Sequence, residues 1–370
     1  MKKTLTHFFS KEEKLRAKGK RIFGMTLTSP NFPPPPMQKR IQNLYKFSFP
    51  YFPSGGDFEL KRIFAKNYSA RWKAKLKEEN VFIGNGGKEI IFILLQILLS
   101  KGGEAIIVSP YWPSYPRMIK MAKSKTKIFK TSEKDGFYID VKKLEKEISS
   151  RTKVLILNTP CNPTGRILKE EEVKYLARLA LKKNFILIAD EVYEAYDYEN
   201  RYCSFLKFFN KNIFCIFSAS KSFSLCGWRL GWGFGDKNLI EEMKLFQGDL
   251  STSPHSLSQL VIKDIFKDSK GVSFHFEKAK KETMKKRDFI VSFFEINKIN
   301  FVLPEGGIAI FVKIPKSFKD SFSFCDKLLE AERVAIAPGK IFGEDKYFRL
   351  NIAISLDDLK EIAKRLKKYY

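Results

Sequence analysis

Histidine is scarce in this 370-residue chain, with only three residues, at His7, His255 and His275. None stands in a motif-like setting, so a Ser–His–Asp hydrolase is disfavoured and any proton transfer must use other groups. The five cysteines, Cys161, Cys203, Cys215, Cys226 and Cys325, are odd in number, irregularly spaced and form no CxxC pair. A disulfide scaffold and a bound metal are therefore not expected. Long apolar runs are also missing: Ile90–Leu99 is broken by Gln96 and is about half of what crosses a bilayer. The opening MKKTLTHFFSKEEKLRAKGKR lacks the apolar core of a secretory signal. The expectation is a cytoplasmic protein without a membrane span.

Arginine is sparse relative to lysine. The chain carries 68 Lys+Arg against 41 Asp+Glu, a formal charge of +27, yet only 15 of those cations are arginine. Specific phosphate and base recognition favours the planar guanidinium. The lysines are instead scattered among glutamates, as in EKAKKETMKKR, which reads as a solvated surface. With 44% hydrophobic residues and 35 Phe there is ample material for a core, and a disordered polycation is excluded. The first 45 residues show no helix-turn-helix pattern, so a nucleic-acid-binding regulator is a remote alternative.

Apolar runs of strand length, EAIIVSP, TKIFKT, TKVLILN, FILIAD, NIFCIFS and LGWGFG, alternate with helical stretches at Glu89–Ser100 and Lys169–Lys183. Strands without strict polar alternation, separated by helices, predict a mostly parallel sheet covered on both faces. The chain thus reads as a large doubly wound α/β domain over residues 46–265 and a smaller α+β domain over 266–370. The N-terminal segment, residues 1–45, packs on the smaller domain. The final helix is expected over Leu356–Tyr370.

The most informative stretch is SASKSFSLCGWRLGW, residues 218–232. Lys221 lies among small hydroxyl residues just after an apolar strand, and Arg229 follows in Gly-Trp-Arg. This pattern suits a Schiff-base lysine beside a site where serines and a guanidinium hold a phosphate. Ser218, Ser220, Lys221, Phe223, Gly227, Trp228, Arg229 and Gly231 together resemble the lysine motif of the fold-type I pyridoxal-phosphate enzymes, specifically the class I aminotransferases.

That resemblance extends over most of the chain. In LNTPCNPTGRIL, Asn162 falls at the carboxyl end of a strand, where ligands bind in open α/β sheets. The resemblance implies that it hydrogen-bonds the cofactor's phenolic oxygen; as bare sequence, Asn-Pro-Thr-Gly is equally a turn. In FILIADEVYEAY, Asp190 closes the next strand. A buried carboxylate there needs a partner, and the resemblance supplies a protonated pyridinium nitrogen, with Tyr193 donating to the phenolic oxygen. In VFIGNGGKEIIFILL, the N–H groups of Gly87 and Lys88 open a helix and can cradle phosphate. Trp112 matches the family's ring-stacking aromatic. Tyr51 matches a tyrosine that crosses a two-fold interface to the neighbouring phosphate, implying a homodimer with shared sites. Arg349, in KYFRLNIA, matches the arginine that clamps the substrate α-carboxylate.

The implied reaction moves an amino group between an L-amino acid and a 2-oxo acid, ping-pong, with pyridoxal 5′-phosphate on Lys221 and Lys221 as proton shuttle. Specificity is less legible. The second arginine that some dicarboxylate-specific relatives carry is missing, since no Arg or Lys lies between Lys244 and Lys263. Ser251-Thr252-Ser253-Pro254 is expected to border the site instead. Thr28 and Ser29 replace the family's usual Gly-Glu in a segment that folds over the substrate, so Thr28 is expected to narrow the pocket. The same motifs also resemble O-phospho-amino-acid decarboxylases and histidinol-phosphate aminotransferases, which stand as the alternative.

Overall fold

The computed structural model describes residues 4–36 and 50–370. The boundary expected at 45/46 lies outside the described residues.

Strands β2 (Val81–Gly84), β3 (Glu104–Ser109), β4 (Lys125–Lys130), β5 (Thr152–Asn158), β6 (Ile186–Asp190), β7 (Ile213–Ser218) and β8 (Gly231–Phe234) form one seven-stranded sheet in the order β2-β8-β7-β6-β5-β3-β4. β8 runs antiparallel to both its neighbours, while β7, β6, β5, β3 and β4 are mutually parallel. Successive side chains on these strands enter opposite cores, as a period of two requires. Ile106, Leu155, Leu157 and Leu187 face helices Phe58–Trp72, Glu170–Lys183 and Ser256–Lys267. Ala105, Ile107, Val154 and Ile156 face helices Gly87–Leu99, Ser114–Met121 and Lys237–Ser251. Burial on both faces explains why the strands carry no polar alternation.

A second core, independent of these, is built from both ends of the chain. Strands β9 (Phe301–Val302), β10 (Ala309–Lys313), β12 (Ala337–Pro338) and β13 (Tyr347–Asn351) make an antiparallel sheet ordered β12-β13-β10-β9. β1 (Phe23–Gly24) pairs in parallel with β11 (Val334–Ala335), and Phe8 from helix Leu5–Ala17 joins the same core. The α/β architecture with a doubly wound sheet and a smaller α+β unit follows the expectation.

Two details differ from the sequence reading. Helix Ser269–Ile296 belongs to both cores: Val272, Phe276 and Ala279 pack on the large one, Ile290 and Phe294 on the small one. The last helix spans Leu356–Lys367, three residues short of the expected end. No helix among the described residues is long and apolar enough to cross a membrane.

Candidate active site

The carboxyl ends of β5, β6 and β7 and the start of helix Gly87–Leu99 open into one cavity of about 340 Å³. This is the crevice where the winding of the sheet reverses, between β3 and β5, and where open α/β sheets bind ligands. Thr28, Gly87, Lys88, Trp112, Asn162, Asp190, Tyr193, Ser218, Ser220, Lys221, Arg229 and Arg349 all line it, whereas Tyr51 lies outside and is 82% exposed. The segment 251–254 does not line it; Ser251 packs behind the glycine turn, 3.4 Å from Asn85 Nδ2 and Glu89 Oε1.

Glycines let the elements approach closely at one end. Gly86 caps helix Gly87–Leu99 with φ of 89°, and a Cβ there would stand 2.6 Å from Arg229 Nη2. A Cβ on Gly231 would stand 2.5 Å from the Gly87 nitrogen. Arg229 is held by the carbonyls of Cys226 at 2.8 Å and Asn85 at 3.3 Å, with Ser220 Oγ at 3.5 Å. Ser218 caps the one-turn helix Ala219–Ser222 through the Ser220 N–H. The helix N-terminus, Arg229 and these serines converge at one end of the cavity, where such a set of N–H, hydroxyl and guanidinium donors could hold a phosphate.

Asp190 ends β6 with 5% of its surface exposed. Its Oδ2 accepts from the Tyr115 hydroxyl, whereas Oδ1 is buried without a hydrogen-bond partner. Burial pushes its carboxyl up to about 6. The Val192 N–H and the Lys221 charge offset part of that cost, but an ionised carboxylate left half-paired in a low-dielectric site is costly, so Oδ1 is suited to a cationic donor. Asn158 fixes the neighbourhood, donating to the Asp190 carbonyl at 2.8 Å and accepting the Asn162 N–H at 2.6 Å. Asn162 Nδ2 and Thr28 Oγ1 each lie 3.4 Å from the Tyr193 hydroxyl, which burial pushes up to about 12.

The Lys221 amine points across the cavity and donates to the Thr28 carbonyl. Burial lowers its pKa, and the charges of Arg349, Arg229 and Lys88 push the same way. Arg349, on β13, is 1% exposed; Nη1 lies 3.4 Å from Asn162 Oδ1 and Nη2 donates to the Thr26 carbonyl at 2.7 Å. Burial lowers it to about 10, its Nε is unpartnered, and no carboxylate pairs with it among the described residues. The Lys88 ammonium sits 5.0 Å from the centroid of Trp112. The lining thus holds four cations, Lys88, Lys221, Arg229 and Arg349, against the single acid Asp190. Such a cavity is built for anionic ligands.

Tyr115, Asn158 and Thr26 were not singled out in the sequence. Asn158 and Thr26 act through backbone groups or on them, which leaves no side-chain pattern to read. Tyr115 stands three residues after Trp112, in the first turn of a helix beginning at the end of β3, and that placement is its only signal.

The donor set fits pyridoxal 5′-phosphate: a phosphate cradle, an amine of lowered pKa, an aromatic face at Trp112, and an orphaned carboxylate oxygen for a ring N–H. A family model for aminotransferases of class I and II matches residues 38–366. The chain is 30% identical to an aspartate aminotransferase of Bacillus subtilis, covering 97% of this chain and 94% of that one. It is 29% identical to an aspartate/prephenate aminotransferase of Thermus thermophilus, with the same coverage. Among solved structures, the Thermus thermophilus aspartate aminotransferase with maleate superposes with a TM-score of 0.95 at 28% identity, covering 100% of this chain and 97% of that one.

Proposed function

The chain belongs to the class I and II aminotransferases, and on that premise we propose that it is a pyridoxal-phosphate-dependent transaminase for a dicarboxylic amino acid and a 2-oxo acid. The observation that carries the reading is the buried Arg349 guanidinium, which faces the cavity beside the Lys221 amine with no carboxylate of its own.

When bound, pyridoxal 5′-phosphate supplies an aldehyde for covalent linkage to an amine and a ring that draws electrons from the carbon carrying it. Gly87, Lys88, Ser218 and Arg229 would hold its phosphate, and Trp112 would offer an aromatic surface to its ring. Asp190 keeps the ring nitrogen protonated, with Tyr115 holding the other carboxylate oxygen in place. Asn162 and Tyr193 donate to the phenolic oxygen. Arg349 takes the substrate α-carboxylate bidentately once its contact with the Thr26 carbonyl yields, which fixes the Cα–H bond toward Lys221. Lys221 Nζ then removes the α-proton and later returns it, a shuttle that needs no histidine. Two half-reactions through one site give ping-pong kinetics. Tyr51, exposed and outside the cavity, is free to reach the phosphate of a second copy in a two-fold dimer.

The names of the relatives and the maleate-bound neighbour support the dicarboxylic class, although the segment between Lys244 and Lys263 lacks the second arginine of some dicarboxylate-specific relatives. Lys88 answers to that need: its ammonium lines the cavity with no acid partner among the described residues. Lys88→Met should lower kcat/KM for aspartate about tenfold, the scale of one charge-assisted contact, and leave alanine and phenylalanine within about threefold. An equal loss for all three would assign Lys88 to the phosphate alone. The test of the reaction itself is a panel of amino acids, measuring 2-oxo acid formation against carbon dioxide release. Oxo acid without carbon dioxide is expected, and stoichiometric carbon dioxide would establish a decarboxylase.

A further inference from the structure

His275 has no part in the proposed chemistry, yet it is 7% exposed and directed at the segment that carries Lys221. Its Nε2 lies 3.1 Å from the Ser222 carbonyl. Because the partner is a carbonyl, that nitrogen carries the hydrogen and donates. Burial lowers the imidazole to about 4, so the ring is neutral at ordinary pH. The ring stacks on Phe223 at 5.4 Å and 18°, and Phe32 meets it edge-on at 5.3 Å.

Those contacts matter because of what lies between them. The helix Ala219–Ser222 is a single turn, too short to hold itself. Immediately after it the chain enters the left-handed region at Ser224, φ 58°, a conformation that a non-glycine residue keeps only when its surroundings impose it. The hydroxyls of Ser222 and Ser224 are buried without partners, so they do not cap the turn. Beyond the N–H groups of Phe223, Ser224 and Leu225, which close the turn on the Ala219 and Lys221 carbonyls, side-chain donors come from three other elements. Cys226 Sγ meets the Ser220 carbonyl at 3.0 Å, the Tyr196 hydroxyl donates to the Lys221 carbonyl at 3.0 Å, and His275 takes the Ser222 carbonyl. Phe32, in edge contact with the imidazole, follows the strap, residues 26–29, which lines the cavity and whose Thr28 carbonyl receives the Lys221 amine.

We propose that His275 is a positioning residue for the amine of Lys221, locking the backbone of the lysine turn and registering it against the strap that crosses the cavity. It touches neither substrate nor cofactor; its effect passes through the Ser222 carbonyl and Phe223. The inference rests on the transaminase reading, in which Lys221 is the reacting amine.

The experiment uses the cofactor-loaded enzyme and three proteins: unmodified, His275→Phe, which keeps an aromatic ring on Phe223 but loses the donor, and His275→Gln, which restores an N–H. For each, the pH midpoint of the cofactor's visible absorption, the half-reaction rate and KM are measured, together with the thermal midpoint. His275→Phe is expected to shift the absorption midpoint by about half a pH unit and slow the half-reaction about tenfold, with KM within about twofold, because a displaced amine costs rate rather than binding. His275→Gln should recover the rate to within about threefold of the unmodified protein. A folded His275→Phe protein with unchanged midpoint and rate overturns the proposal, as does a Gln variant no better than Phe. Should His275→Phe fail to fold, Tyr196→Phe, which removes the adjacent donor, must give the same displaced midpoint and slowed rate, and an unchanged profile overturns it. An unmodified protein with neither the visible band nor the half-reaction would defeat the transaminase reading itself, before any variant is compared.

Discussion

Lys221→Ala protein is expected to fold and bind pyridoxal 5′-phosphate but to lose more than about 10⁴ in transamination rate, because covalent attachment and proton transfer disappear together. The size of the loss follows from the cavity. It holds one other amine, Lys88, and that one lies over the face of Trp112 rather than at the end of β7. Burial and neighbouring cations lower both amines, so pKa alone does not separate them, whereas position does. Borohydride reduction of the loaded enzyme followed by peptide mapping should place the cofactor on Lys221 alone. A label on Lys88, or an alanine variant that still completes turnover, would sink the assignment. Folding should survive, since Lys221 contributes one hydrogen bond to the strap and packs no core.

The same contrast explains what could be read from the sequence. Lys221, Asp190 and Asn162 could be placed at the ends of apolar strands, which sheet topology delivers to one edge, but their roles were legible only through the combined motifs and the resemblance. Arg349 was legible only through resemblance: it sits mid-strand on β13, paired with Phe311 and Ala337, where a bare sequence reads as an edge-strand ion pair. The segment around Thr28 was legible through the resemblance, but not the way it acts. Thr26 and Thr28 hold Arg349 and Lys221 through main-chain carbonyls, which every residue type possesses. His275 was dismissed because nothing around it resembled a motif; its partners, Ser222, Phe223 and Phe32, come from distant segments. Helix Ser269–Ile296 contributes to both cores, and a single amphipathic pattern carries no mark of where its buried face passes from one to the other.

The charge of +27 takes on a more local meaning once the cavity is described. Four cations surround one acid there; in the proposed reading Lys88, Arg229 and Arg349 meet anionic groups of cofactor or substrate, while Lys221 is the reacting amine. Elsewhere lysines pair with nearby acids on exposed helices, as Lys280 does with Glu277 and Lys285 with Glu282, pairs worth little to stability. The surface excess can raise the encounter rate with dicarboxylates, an effect that salt would screen.

Asp190→Asn should separate catalysis from folding more sharply than any other change. In the cofactor-free chain the carboxyl is a liability: burial raises it from 3.8 to about 6. A raised carboxyl holds its proton more tightly in the folded state, so between about pH 4 and 6 the folded chain binds more protons than the unfolded one, and stability falls as pH rises. The stabilisation at stake is on the order of 3 kcal/mol at most, present below about pH 4 and lost as pH rises through about 6. Asparagine removes that slope, and its amide can still accept from Tyr115. Cofactor-free Asp190→Asn protein is therefore expected to match or exceed the unmodified chain in thermal midpoint at pH 8, with a flatter profile between pH 4 and 6. Loaded with pyridoxal 5′-phosphate, the same variant should lose about 10³ in half-reaction rate, because a neutral amide does not hold a proton on the ring nitrogen and the electron sink is lost. The gain in one state and the loss in the other have one cause, a buried charge whose partner is the cofactor. A variant that kept its rate, or whose cofactor-free stability retained the full slope, would show that Asp190 is paired by something other than the ring.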